Sequence, residues 1–171
     1  MSAKNFFTTT IIWLVPVYLL AFTISAIWLL FDGWLNQFSS LICIWSKTPE
    51  QTVPELIFYL LFTIIGSLLG SALLGITSFH RYKAVEKSFE MEHVWGYFFL
   101  PLLAIIVGIL AFALVQAGLF VLAGDVSGKN SPESASLGYI AIGGVTGYNW
   151  DIFIKKMQEL SANVMNTKSN T

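Results

Sequence analysis

Residues 94–124 read VWGYFFLPLLAIIVGILAFALVQAGLFVLAG and contain no Asp, Glu, Lys or Arg. A bilayer core of about 30 Å needs ~20 consecutive apolar residues in a helix, so this stretch is long enough to cross a membrane. Two further stretches without charged residues, 5–31 and 56–79, meet the same requirement. A fourth, 134–150, meets it if its helix continues to residue 154. The sequence therefore predicts an all-α integral membrane protein with four transmembrane helices.

The composition agrees with this fold class. Of the 171 residues, 56% are hydrophobic and 11% are charged, and the mean hydropathy is +0.71, whereas soluble domains carry ~25% charged residues. The net charge of −1 provides no basic field, so we expect no direct contact with nucleic acid. The single cysteine, Cys43, has no partner within the chain, and we interpret it as an apolar packing residue in preference to a bridge between two copies.

We predict one transmembrane domain over residues 1–171. Its four transmembrane helices are expected at 10–31, 56–79, 95–123 and 137–154. Two cytoplasmic helical extensions are expected at 80–93 and 155–165.

An interfacial segment is predicted at 33–46, on the outer side. Trp34, Phe38, Leu41 and Trp45 recur there at the spacing of one helix face, which favours a short helix lying in the membrane interface. The alternative is a cap over the outer end of the bundle.

The Lys and Arg residues are divided unequally between the two sides of the predicted bundle. If the N-terminus is cytoplasmic, seven of them lie on that side and only two, Lys47 and Lys129, on the other. Loops rich in Lys and Arg stay in the cytoplasm. We therefore expect a multi-pass protein of the bacterial inner membrane with both termini cytoplasmic.

Small residues recur four positions apart on three of the predicted helices. Such spacing lets two helices approach closely where lipid supplies no hydrophobic driving force between them. The partner helix belongs either to the same chain or to another copy, and we predict a homo-oligomer, a tetramer in preference to a dimer or pentamer. The predicted packing residues are Gly66, Gly70, Gly75, Gly108, Gly143 and Gly147.

The fourth predicted helix is unusual because it is rich in glycine and barely long enough to span. It is interpreted as a tightly packed helix, with a broken, re-entrant helix as the alternative. Thr146, Asn149 and Asp151 lie near its cytoplasmic end. Asp151 either pairs with Lys155 one turn later or joins the other two in a polar ring at the mouth of an oligomeric pore.

The sequence contains none of the familiar catalytic or cofactor-binding patterns, such as a P-loop, a dinucleotide fingerprint, GxSxG or HExxH. Glu90 and His93 have a Glu-x-x-His spacing, but a single copy among charged residues is not interpreted as a metal site. We therefore predict a protein that is not an enzyme and that has no cofactor, metal or catalytic residue.

The cytoplasmic extensions carry nine of the 19 charged residues, and we predict that they dock a cytosolic protein partner. On this hypothesis the protein is a membrane sensor or scaffold, and the alternative is a small homo-oligomeric channel lined by the fourth helix. The predicted docking residues are Arg81, Lys83, Glu86, Lys87, Glu90, Lys155 and Lys156.

The last third of the chain resembles a recurring element of small bacterial polytopic membrane proteins. In that element a helix with an early proline precedes a short loop, a glycine-rich helix and an amphipathic tail. The resemblance spans about 70 residues and is carried by Pro101, Gly108, Gly118, Gly138, Gly143, Gly147 and the stretch 151–164. Tyr148 stands where the element has an acidic and polar cluster.

In length and helix number the whole chain is similar to the four-helix membrane subunit of the two-component Kiwa anti-phage system. That subunit works with a cytosolic DNA-binding partner. The resemblance implies a role in anti-phage defence together with a cytosolic protein.

Overall fold

The computed structural model describes residues 3–45, 54–86, 93–119 and 132–166. Every regular element within these ranges is helical, which confirms the predicted all-α class. A π-helical turn, Arg81–Val85, directly follows the third helix. The α-helices are α1 (Ala3–Asn36), α2 (Ser39–Trp45), α3 (Glu55–His80), α4 (His93–Gln116), α5 (Pro132–Tyr148) and α6 (Trp150–Asn166).

Three of these helices are long and apolar enough to cross a membrane. The qualifying segments are Trp13–Asn36, Glu55–Val85 and Val94–Gln116. Helix α5 has 17 residues and is therefore about 25 Å long at 1.5 Å per residue, which is less than the ~30 Å of a bilayer core. The four predicted spans thus correspond to three long helices and one shorter one.

Helix α3 lies at the centre of the bundle and contacts α1, α4 and α5. Leu68 on α3 shares a buried cluster with Ala26 on α1 and Ala104 on α4. On the side of α3 that faces α5, Thr63 lies against Gly143 and Ser67 against Gly147, so the two helices run in the same direction. Because they are parallel, α4 must return the chain to the end where α3 begins.

The turn between α1 and α2 breaks the helix face that was predicted from Trp34 to Trp45. Gln37 and Phe38 have positive φ angles of 51° and 58°, a left-handed conformation that is unfavourable for residues with a Cβ. The fully buried ring of Phe38 packs against Phe62, with ring centroids 4.9 Å apart. Burial of this large apolar side chain offsets the unfavourable backbone.

The helix predicted at 137–154 is in fact two helices that meet at Asn149. The Val145 carbonyl accepts hydrogen bonds from both the backbone N–H and the side-chain Nδ2 of Asn149, each at 3.1 Å. A side chain that bonds the backbone locally in this way competes with helix continuation. Beyond the break, Phe153 is buried in a cluster with Val107 and Ala111 of α4, so α6 turns towards α4 instead of continuing beside α3.

Helix α5 ends well before α3 does. A Cβ atom on Gly70 would lie 2.8 Å from the backbone nitrogen of Tyr148, the last residue of α5. Helix α3 runs ten residues further, to His80, which corresponds to about 15 Å. The polar helix α6 therefore begins beside the apolar bundle and not beyond its end.

Candidate functional site

Helices α3 and α5 are in direct backbone contact through four glycines. A Cβ on Gly66 or Gly70 would overlap a carbonyl oxygen of α5, that of Ile140 or Gly144 respectively. Reciprocally, a Cβ on Gly143 or Gly147 would overlap the carbonyl oxygen of Thr63 or Ser67 on α3. Each glycine Cα–H therefore faces a carbonyl, as in the Cα–H···O contacts of closely packed helices.

The other two predicted packing glycines lie at separate helix contacts. A Cβ on Gly108 of α4 would be 2.9 Å from the Cα of Ile64, and one on Gly75 would be 2.8 Å from Leu100 Cδ1. Next to Gly108, the buried Ser67 hydroxyl donates to the Ala104 carbonyl at 2.7 Å. All six glycines thus lie at contacts within one protomer, the first of the two alternatives left open by the sequence.

The three residues of the predicted polar site differ in their surroundings. Thr146 is buried, and its hydroxyl donates to the carbonyls of Ile142 and Gly143 on its own helix, at 2.9 and 3.0 Å. Asn149 forms the break between α5 and α6, and Asp151 is exposed in the first turn of α6. They do not form one polar surface, because Thr146 faces the interior of the bundle.

The predicted docking residues before α4 are described in part. Arg81, Lys83 and Glu86 are exposed, whereas Lys87 and Glu90 lie outside the described residues. Arg81 Nε is 3.4 Å from Glu86 Oε1, and its guanidinium lies 4.9 Å from the ring centroid of Tyr82. The π-helical turn brings Arg81 and Glu86 together, since the Glu86 N–H donates to the Arg81 carbonyl at 2.9 Å.

Helix α6 presents the second set of predicted docking residues. Phe153 anchors it on α4, and Trp150 and Met157 pack around the same cluster. Lys155 and Lys156 are exposed on the same helix, and Lys155, two residues after Phe153, lies on the side opposite the anchor. Lys156 Nζ lies 2.7 Å from Glu159 Oε2, so the ion pair of this helix joins those two residues and not Asp151 with Lys155.

The structure shows a buried carboxylate near the end of α1 that was not predicted from the sequence. Asp32 is 5% exposed, and its Oδ1 accepts hydrogen bonds from Asn36 Nδ2 at 3.0 Å and Ser40 Oγ at 3.2 Å. Its Oδ2 is buried and has no hydrogen-bond partner among the described residues. In the sequence, Asp32 marks the end of an apolar run. The only sign of the hydrogen-bonded cluster is the four-residue spacing of the polar residues at 32, 36 and 40.

At the same end of the bundle, polar side chains connect α3, α4 and α5. The Tyr59 hydroxyl donates to Glu55 Oε1 at 2.8 Å, and its ring stacks on Tyr139 with centroids 4.8 Å apart. Gln116 Nε2 in turn donates to the Tyr139 hydroxyl at 3.0 Å. This network gives the side-chain amide of Gln116 a hydrogen-bond partner. In the sequence, Gln116 stands alone as a strongly polar residue in an apolar helix.

The described polar side chains fall into two groups: some form hydrogen bonds within or between the packed helices, and the others are exposed on the surface. Among the described residues, no three His, Cys, Asp or Glu side chains come together in the way that metal ligands would. Comparison of the chain with protein-family models, with curated proteins and with solved structures gave no match. The candidate site is therefore the exposed charged surface of α6 together with the Arg81–Glu86 segment.

Proposed function

We propose that this chain is a scaffold in the bacterial inner membrane that recruits or regulates a cytosolic protein partner. The observation that carries the proposal is the disposition of α6. Phe153 fixes the helix on α4, and the charged side chains of α6 are exposed. A helix held on one side and charged on the other is suited to binding a partner of complementary charge.

The exposed surface of α1 supports insertion in a membrane. Only 17% of the most apolar window of this helix is buried within the chain, and Leu14, Ile24 and Leu35 are each more than half exposed. Contiguous apolar surface of this extent marks contact with a membrane or with another protein. The excess of Lys and Arg on one side supports a cytoplasmic location for α6 and the Arg81–Glu86 segment.

The proposal includes assembly as a homo-oligomer, with a tetramer preferred. Because the packing glycines are occupied within one protomer, contacts between copies would use another surface, and the exposed apolar face of α1 is the largest candidate. The mass of the complex in a mild detergent tests this part, and a strictly monomeric mass would contradict it.

The channel alternative has less support. A pore lined by α5 would use Thr146, whose side chain is buried and bonded to its own helix. Exposing it would require α5 to separate from α3, with which it shares four glycine contacts.

Isolation of the protein from its native host tests the scaffold. We expect a soluble protein in stoichiometric amount, lost on the combined changes Lys83→Glu, Lys155→Glu and Lys156→Glu. Lys129→Glu, on the opposite side in the predicted topology, is the matched control and should retain the partner. Ion flux through liposomes containing this chain alone, reduced by Asp151→Asn, would favour the channel instead.

The biological setting that we propose is anti-phage defence, on the basis of the resemblance to the Kiwa membrane subunit. Deletion of the gene in the native host should then increase the plating efficiency of at least one phage. The triple charge reversal should have the same effect as the deletion if partner recruitment is the relevant activity.

A further inference from the structure

A cavity of about 260 Å³ lies between α1 and α4 at the end of the bundle that carries Arg81. Its walls come from two helices only, with Val17 and Ala21 on α1 and Val94, Tyr97 and Phe98 on α4 among the lining residues. Helices α1 and α4 are joined there by the stack of Tyr18 on Phe98, with ring centroids 5.8 Å apart. The cavity is open on the surface that α5 and α6 do not cover.

The lining of this cavity is suited to an apolar occupant. The hydroxyl of Tyr18 donates to the Phe98 carbonyl at 3.0 Å, so its hydrogen is already used within the protein. Cavities lined by apolar side chains accept hydrocarbon. Leu14, Val17 and Phe98 are each more than half exposed around the opening, which places the cavity on the face that would meet acyl chains in a membrane.

A basic residue, Arg81, lies at the same end of the bundle as the cavity, where it is paired with Glu86. Tyr97, one of the residues that line the cavity, interacts electrostatically with Arg81 in the π-helical turn. Lys83 follows two residues later and is exposed, and Glu86 is the single acidic residue of the described segment 81–86. Basic residues at the cytoplasmic end of a groove between transmembrane helices are typical of sites for anionic lipid headgroups.

We propose that this cavity binds one acyl chain of an anionic phospholipid, whose phosphate is held at Arg81. The proposal rests on the membrane insertion proposed above and assigns a ligand to a cavity that adjoins the docking surface and shares Arg81 with it. The apolar cavity accommodates the acyl chain, and the positive charge of Arg81 favours an anionic headgroup over a zwitterionic one. A lipid bound there would fill the gap between α1 and α4 and stiffen the end of the bundle.

Lipid retention by the purified protein provides the first test. Protein in mild detergent is incubated with phosphatidylglycerol or phosphatidylcholine and examined by native mass spectrometry. We expect one phosphatidylglycerol per protomer, its loss in Ala21→Trp, which fills the cavity, and its retention in Ile24→Trp, one turn further along α1. Arg81→Gln should weaken phosphatidylglycerol binding about fivefold, since one basic residue near the surface contributes about that factor, whereas Lys155→Gln should not.

Photocrosslinking of the wild-type chain provides a second test that needs no variant. A phosphatidylglycerol with a photoreactive acyl chain should label residues 14–21 and 94–98 in preference to 24–31. Equal labelling along α1, or unchanged retention in Ala21→Trp, would overturn the acyl-chain site. Equal retention of both lipids would overturn the role of Arg81.

Membrane insertion is measured separately by resistance to extraction at alkaline pH. A protein that resists extraction but retains no phosphatidylglycerol would overturn the lipid site and leave the scaffold proposal intact. A protein that is extracted would overturn both.

Discussion

Two adjacent glycines of α5 differ sharply in what they contact. A Cβ on Gly143 would lie 2.8 Å from the Ser67 nitrogen and would overlap the Thr63 carbonyl, whereas one on Gly144 would be 3.7 Å from its nearest neighbour, the Gly66 carbonyl. Gly143→Ala must therefore separate α3 and α5, and we expect it to lower the free energy of unfolding by about 1–3 kcal/mol.

Gly144→Ala is the matched control for that change. Its Cβ meets only an ordinary van der Waals contact, and alanine is favoured over glycine within a helix by up to ~1 kcal/mol, so the free energy of unfolding should stay constant or rise. Unfolding in detergent, followed by circular dichroism, measures both. Equal destabilisation by the two substitutions would contradict the direct backbone contact.

Asp32 provides a second prediction at the scale of a single residue. Asp32→Asn retains an oxygen that can accept from Asn36 and Ser40, and it replaces the buried carboxylate by an uncharged amide, which costs less free energy to bury. The free energy of unfolding should therefore be unchanged or higher, whereas Asp32→Leu, which loses both hydrogen bonds, should lower it by about 1–3 kcal/mol. If Asp32→Asn proves the more harmful substitution, the carboxylate binds a group that the described residues do not supply.

At the scale of elements, the attachment of α6 depends on Phe153. Phe153→Ala removes the ring from its cluster with Val107 and Ala111, and buried Phe→Ala changes cost ~3–5 kcal/mol. Because α6 is held on one side only, we expect the helix to detach while the rest of the bundle stays folded. Limited trypsin digestion should then cleave much faster after Lys155 and Lys156.

The matched control is Ile152→Ala, since Ile152 is 51% exposed on the same helix. It should leave the rate of cleavage close to that of the wild type. Accelerated cleavage in both variants would mean that α6 is not anchored by Phe153.

The positions of the long helices could be predicted from the sequence more readily than the points at which the helices end or bend. Long runs without charge locate α1, α3 and α4, because an uncharged apolar run of ~20 residues or more is long enough to cross a membrane as one helix. The bend at Asn149 depends instead on one side-chain hydrogen bond and on the burial of Phe153 against α4, a contact that is distant in sequence. Such contacts leave no periodic pattern, and for the same reason the glycine spacing indicated close packing without indicating which helix is the partner.

At the scale of the whole molecule, the predicted topology can be tested with single cysteines. In a Cys43→Ser background, Lys83→Cys should react with a membrane-impermeant maleimide only after the cells are opened, whereas Lys129→Cys should react in intact cells. The expectation follows from the distribution of Lys and Arg between the two sides. Labelling of position 83 in intact cells would reverse the orientation and move α6 away from the cytoplasm.

The parallel pairing of α3 and α5 has a consequence for the order in which the protein is made. Translation releases α3 before α5, and the glycine face of α3 at Gly66 and Gly70 stays uncovered until α4 and then α5 have been made. The close backbone contact between α3 and α5 therefore forms late, after α4 has been made, from a helix that is too short to span a bilayer core by itself. The contact is complete only when α5 has left the ribosome, so a product truncated after α4 would keep an open groove that membrane quality-control proteases could recognise.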